Sequence, residues 1–114
     1  MPKSLPGRAS IAVRCDGGEM LGAGHVARCL PLAQALARRG CAPDFVGAYD
    51  GLAAWMLERS GLAMVPPQHG VCCGLDTGRY DAAVVDSYAI PEDELCELAV
   101  DLPVATMGEA RRCP

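Results

Sequence analysis

Four side chains that could do chemistry sit within fifteen residues of one another: Arg14, Asp16, His25 and Arg28. Between them runs Asp16-Gly17-Gly18-Glu19-Met20-Leu21-Gly22-Ala23-Gly24, a stretch with four glycines. Histidine is the side chain whose ordinary titration range suits proton abstraction near neutral pH. An acid beside it orients the imidazole, and arginines hold anions. A second polar group, Asp86-Ser87-Tyr88, closes a later apolar run, Ala82-Ala83-Val84-Val85. Together these residue types suit activation of a water or hydroxyl against an anionic substrate.

Each has a plainer reading beside the chemical one. His25 can be a helix-start residue bonded to backbone. Asp16 either caps the turn, orients His25 or binds a substrate hydroxyl. Arg14 and Arg28 can be structural ion-pair partners, and Asp86 and Tyr88 can simply end a strand. The candidate set is His25 and Tyr88 as catalytic residues. Arg14, Asp16, Gly22, Gly24, Arg28 and Asp86 are candidates for substrate contact.

The elements around these residues must bring them to one place. Ser10–Arg14 reads as a buried strand, and Gly24–Arg39 as a helix with Val26, Leu30, Ala33, Leu36 and Ala37 at helical spacing. Pro31 lies late for the preferred first-turn position and is expected to bend that helix. Asp44–Ala48 reads as strand two, and Gly51–Ser60 as helix two, with Leu52, Trp55, Met56 and Arg59 turning through it. Leu62–Val65 is strand three, followed by a glycine-containing loop over Gln68–Arg79. Ala82–Val85 is strand four, Pro91–Val100 helix three and Val104–Met107 strand five.

Alternation of strands and helices predicts an α/β fold, a Rossmann-like parallel sheet with flanking helices. Residues 1–9 read as a leader and 10–114 as one domain. In such a sheet ligands bind beyond the carboxyl ends of the strands, where both polar groups fall.

Composition narrows the partners. Hydrophobic residues make 51% of the 114, enough for a core, but aromatics make only 4%. That disfavours base stacking on single-stranded nucleic acid, and a net charge of −4 disfavours a phosphate-backbone binder. Arg38-Arg39 and Arg111-Arg112 read as solvated charges. No apolar run approaches the roughly 18 residues of a membrane span, and the N-terminus lacks a signal-like apolar region. Seven cysteines at irregular spacing predict mostly free thiols in a cytoplasmic protein. Cys72-Cys73 near His69 lacks paired metal-ligand spacing, so no metal or cofactor is expected. Gly22-Ala23-Gly24-His25-Val26-Ala27 fits a dinucleotide fingerprint formally, but Cys15–Leu21 separates it from the strand. Gly17 and Gly22 start like a P-loop without its Lys-Ser/Thr.

Arg14-x-Asp16, then Gly22-x-Gly24-His25-x-x-Arg28-Cys29-Leu30-x-Leu32-Ala33, resembles the N-terminal signature of the UDP-2,4-diacetamido-2,4,6-trideoxy-β-L-altropyranose hydrolases of pseudaminic acid biosynthesis. Asp81-x-x-Val84-Val85-Asp86-Ser87-Tyr88 resembles that family's strand-four motif. The resemblance implies the N-terminal half of a GT-B-like pair of Rossmann-like domains, with most uridine diphosphate contacts in a second domain. It implies metal-free cleavage between sugar C1 and the UDP oxygen. His25 would activate the water, Tyr88 would be a second active-site residue, and Asp16 with the glycine turn would shape the sugar side. After strand five, Thr106-Met107-Gly108-Glu109 stands where the family carries an Asp-Asp pair. The expected partner is a UDP-sugar, with no nucleic acid or membrane. The same architecture admits two other roles: the acceptor-side domain of a glycosyltransferase, and a non-catalytic ligand- or partner-binding module.

Overall fold

The computed structural model describes residues 8–18, 22–86 and 90–107. Five strands form one all-parallel sheet: β1 (Ser10–Cys15), β2 (Ala42–Val46), β3 (Ala63–Val65), β4 (Ala82–Asp86) and β5 (Val104–Thr106). Three helices flank it: α1 (Gly24–Arg38), α2 (Gly51–Ser60) and α3 (Glu92–Asp101). The spatial order β3-β2-β1-β4-β5 is the Rossmann-like arrangement that the alternating pattern predicts. Its strand order reverses between β1 and β4, the position beyond whose carboxyl ends sheets of this kind bind ligands.

Alternation along the strands sends side chains to two separate cores. Val13, Cys15 and Phe45 pack with Val26, Cys29 and Ala33 of α1 and Ala53 and Leu57 of α2. Ala12, Val46, Ala83 and Val85 face the other way, against Leu95 and Leu98 of α3 and Tyr80. Fully burying a side chain such as Leu57 or Phe45 contributes roughly 1.5–3 kcal/mol, so both layers hold the sheet in place.

Helix α1 buries Val26, Cys29 and Ala33, one stripe at helical spacing, and runs through Pro31. Proline has no N–H, so the Ala27 carbonyl receives no helical bond from it. In α2 the buried residues are Ala53 and Leu57, while Leu52 and Trp55 are exposed. The Trp55 ring instead carries the Arg59 guanidinium 5.3 Å from its centre. Gly61, with φ of 77°, ends that helix in the left-handed conformation that suits glycine.

Strand β2 lies two residues earlier than the apolar run predicts. Gly47 explains its end: a Cβ there would stand 1.8 Å from the Cys15 carbonyl oxygen. The chain can cross the end of β1 only without a side chain at that point, and it leaves the ladder there. The segment between β3 and β4 holds a single 3₁₀ turn at Cys72–Gly74, packed on α3 in place of a full crossover helix. Cys15, Cys29, Cys41, Cys72 and Cys73 are free thiols, whereas Cys96 is disulfide-bonded. Among the described residues no helix is long and apolar enough to cross a membrane.

Candidate functional site

The end of β1 feeds the glycine turn, and the turn feeds α1. Gly17 is held against the β2–α2 connection, since its N–H donates to the Ala48 carbonyl and its carbonyl accepts from the Asp50 N–H. Gly18 and Gly22 then exchange backbone hydrogen bonds and close a tight loop. Gly22 has φ of 74°, a conformation that costs glycine little and other residues more. The turn therefore delivers the chain to α1 from a fixed direction.

Among the described residues no side chain caps α1, and its first turn carries no acid. His25 and Arg28 lie three residues apart on that helix and so share a face. Beneath that face is the end of β4. In the parallel ladder Asp86 stands beside Cys15, pointing to the α1 side of the sheet. Its side chain is only 2% exposed.

Asp86 gathers three partners. Arg28 donates from Nη2 to Oδ1 at 2.7 Å and to Oδ2 at 2.9 Å, and from Nε to Oδ2 at 3.0 Å. The Cys29 thiol donates to Oδ2 at 3.6 Å. His25 Nδ1 lies 3.0 Å from Oδ1. A bare nitrogen at that distance from a carboxylate would bring two acceptors together, so Nδ1 carries the hydrogen and donates it. Arg28 Nη2 also lies 3.3 Å from Nδ1, while one of its hydrogens is shared between the two carboxylate oxygens. With Nδ1 donating to Asp86, the acceptor nitrogen of the neutral ring is Nε2.

Electrostatics reinforce this arrangement. Burial pushes the Asp86 carboxyl up, but the hydrogen bonds from Arg28 and His25 and the neighbouring positive charge outweigh it and hold the group below the usual aspartate range. Asp86 is thus an anion at neutral pH, paired and nearly dry. The Cys29 thiol is pushed up by the adjoining Cys15 sulfur, by burial and by Asp86. It stays protonated and serves as a donor.

The other candidates are placed differently. Arg14 donates from Nε to the Cys73 carbonyl at 2.7 Å, and from Nη1 to Asp16 at 3.0 Å and to the Val46 carbonyl at 3.3 Å. Asp16 Oδ1 also accepts the Ala48 N–H at 2.9 Å. These two residues brace the end of β1 against β2 and the 3₁₀ turn. Gly22 and Gly24 flank the approach to α1, and a Cβ at Gly24 would meet nothing within 4 Å. Tyr88 and its neighbours 87–89 lie outside the described residues.

Sequence reasoning placed Asp16 as one possible orienter of His25, whereas the carboxylate on Nδ1 is Asp86. The signal that could have found it is the pairing of β1 with β4. Adjacency of those strands puts the last residue of each side by side, directly under the helix that follows β1. Cys29 has a similar origin, since it follows Arg28 and turns inward.

A second polar cluster lies on the α3 side. The buried Tyr80 hydroxyl donates to Asp44 Oδ2 at 3.0 Å, and Arg79 pairs with the same oxygen at 3.5 Å. Gln68, Asp76 and Arg79 border a small cavity there, at the ends of β2 and β3. The long loop after β3 thus has a structural task, covering the sheet where a helix is missing. Among the described residues no group of three or more His, Cys, Asp or Glu side chains is arranged to hold a metal ion. Among known proteins, no family model, no curated sequence and no solved structure matches this chain.

Proposed function

We propose that this chain carries the general-base side of a metal-free sugar-nucleotide hydrolase, with a UDP-linked diacetamido-trideoxy sugar as substrate. One observation carries the reading: a nearly dry carboxylate, at the point where the strand order reverses, fixes His25 in the tautomer whose Nε2 accepts a proton. Such a carboxylate–imidazole pair is the recurring way to orient a base. The residue signature of the glycine turn supplies the substrate class.

In this reading His25 Nε2 takes a proton from water as the water attacks sugar C1. The C1–oxygen bond to UDP breaks, and UDP leaves with the bonding pair. The imidazolium that forms is stabilised by Asp86 across the Nδ1 hydrogen bond. Arg28 balances the charge of Asp86 and locks its plane. The uncapped start of α1 and the space in front of Gly24 favour an anionic group close to the backbone. The resemblance assigns most contacts to uridine diphosphate to a second domain, and that domain belongs to the proposal.

The test measures UDP release without any acceptor sugar, from the chain alone and from the chain joined to the nucleotide-binding domain of a resembling hydrolase. Oxygen-labelled water identifies the broken bond. Label on the sugar with unlabelled UDP is the expected result. Label in UDP, or no release in either arrangement, overturns the reading. Release that appears only when an acceptor sugar is added makes the protein a transferase instead.

A further inference from the structure

Cys72 and Cys73 take no part in the chemistry above. They are adjacent in the 3₁₀ turn between β3 and β4, and their sulfurs lie 3.6 Å apart. Both thiols donate to one acceptor, the Glu94 carbonyl of α3, at 3.3 and 3.6 Å. Cys73 has φ of 57°, the only non-glycine residue with positive φ among those described. That left-handed turn brings the second sulfur round beside the first, where an extended pair of neighbours would point to opposite sides.

The spacing discriminates between possible chemistries. Neighbouring Cα atoms stand about 3.8 Å apart across a trans peptide, short of the roughly 4.4–6.8 Å that disulfides ordinarily span. A direct sulfur–sulfur bond would therefore be strained. Two sulfurs bound at about 2.3 Å to one tetrahedral soft atom are roughly 3.8 Å apart, close to what is present. A zinc ion would require two further ligands, and no third His, Cys, Asp or Glu joins the pair among the described residues. A trivalent metalloid that already carries one organic group requires only two thiols.

Charge points the same way. Burial, then the neighbouring Cys72 thiol and Glu94, push the Cys73 thiol up to about 12. Cys72 is raised as well, chiefly by burial. Both sulfurs rest as neutral thiols, and the adduct is likewise uncharged, so binding moves no charge into the buried turn.

We propose that Cys72–Cys73 is a bidentate binding site for monosubstituted trivalent arsenicals. With an arsenoxide, two arsenic–sulfur bonds form and the arsenic–oxygen bonds break. The oxygen leaves as water with both thiol protons, and no oxidation state changes. Cys72, the more exposed of the two, attacks the arsenic first, and Cys73 closes the ring. Cys73 also offers its carbonyl to Arg14, so the site lies directly behind the brace at the end of β1. The proposal is independent of the hydrolase reading.

Phenylarsine oxide is the probe. Mass spectrometry of the folded full chain should show one phenylarsenic group in place of two hydrogens, and peptide mapping should place it on Cys72 and Cys73. Ethanedithiol should strip it, and an equal concentration of a monothiol should not. Loss of one thiol removes the intramolecular second bond, whose effective concentration is in the millimolar range for short connections. Cys72→Ser should therefore weaken binding at least ~10²-fold. Cys41→Ser should leave it unchanged. Cys73→Ser is checked for folding by circular dichroism, and the half-buried Cys72 carries the test if that variant unfolds. A folded wild-type chain that takes up no phenylarsenic overturns the proposal. So does an adduct retained in full by Cys72→Ser, or one that maps to Cys15 and Cys29.

Discussion

Two arginine–aspartate pairs stand near the same edge of the sheet and do different things. Beyond their mutual bond, Arg14 and Asp16 spend theirs on backbone: the Cys73 and Val46 carbonyls and the Ala48 N–H. Arg28 and Asp86 spend theirs on each other and on an imidazole. The first pair ties three segments together. The second holds one titratable ring in one orientation. Residue type does not separate a brace from a site here. The third partner does: a histidine ring has a second nitrogen that can exchange a proton near neutral pH, and a peptide group has none.

The comparison breaks most sharply at His25. A lost general base typically costs about 10²–10⁴-fold in rate. His25→Asn, measured in the two-domain arrangement that releases UDP, should lower kcat by that factor with KM little changed. The fold should survive, because asparagine retains a donor of similar reach for Asp86. His69→Asn, outside both pairs, should do little. Near-normal turnover in His25→Asn would pass the role of base to another residue. Unfolding would make His25 a structural helix-start residue.

How far the two pairs could be told apart beforehand depends on what each contact needs. The strands and helices were legible because continuous apolar runs and helical spacing are local. The glycine turn leading from β1 to α1, with a histidine at the helix start, was legible for the same reason. Asp86 as the partner of His25 was not, because that contact needs the β1–β4 register and the facing of α1 together. The anchoring of Arg14 on Cys73 was not legible either. The segment between β3 and β4 has no periodicity to place it, and its one turn is set by Cys73 in a left-handed conformation. The end of β2 was misplaced because Val46-Gly47-Ala48 reads as apolar, while the crossing over Cys15 is a tertiary constraint.

The second break is electrostatic and of intermediate size. The folded-state pKa of Asp86 is lowered, so the group contributes stability above the unfolded aspartate value of about 3.9. That contribution is lost as pH falls through the lower folded value. Asp86→Asn should lower stability at pH 7 by about 1–3 kcal/mol, and should flatten the loss of stability between roughly pH 4 and the acid limit. Arg28 is 43% exposed and can turn its charge to water in the variant, which keeps the cost from being larger. Urea midpoints across pH check this. An unchanged acid limb would mean that Asp86 is no better paired when folded than when unfolded.

The smallest effect sharpens the comparison from the ligand side, at Gly24. This residue opens α1 with no positive φ, and a Cβ there would meet none of the described residues within 4 Å. The fold gives no steric reason for glycine at this position, unlike Gly47, where a Cβ would strike backbone. Glycine inside a helix is about 0.8–1 kcal/mol less favourable than alanine, and at the first helical position the difference is smaller. Gly24→Ala should therefore leave thermal stability unchanged or raise it slightly. In the proposed function the open space in front of Gly24 is where the substrate comes close to the helix start. A methyl group there should then raise KM for the UDP-sugar several-fold while His25 keeps its orientation. A stabilised variant with unchanged KM would show that the ligand approaches elsewhere along the edge. A destabilised one would show that Gly24 serves the turn, and would move the glycine stretch to the side of the brace.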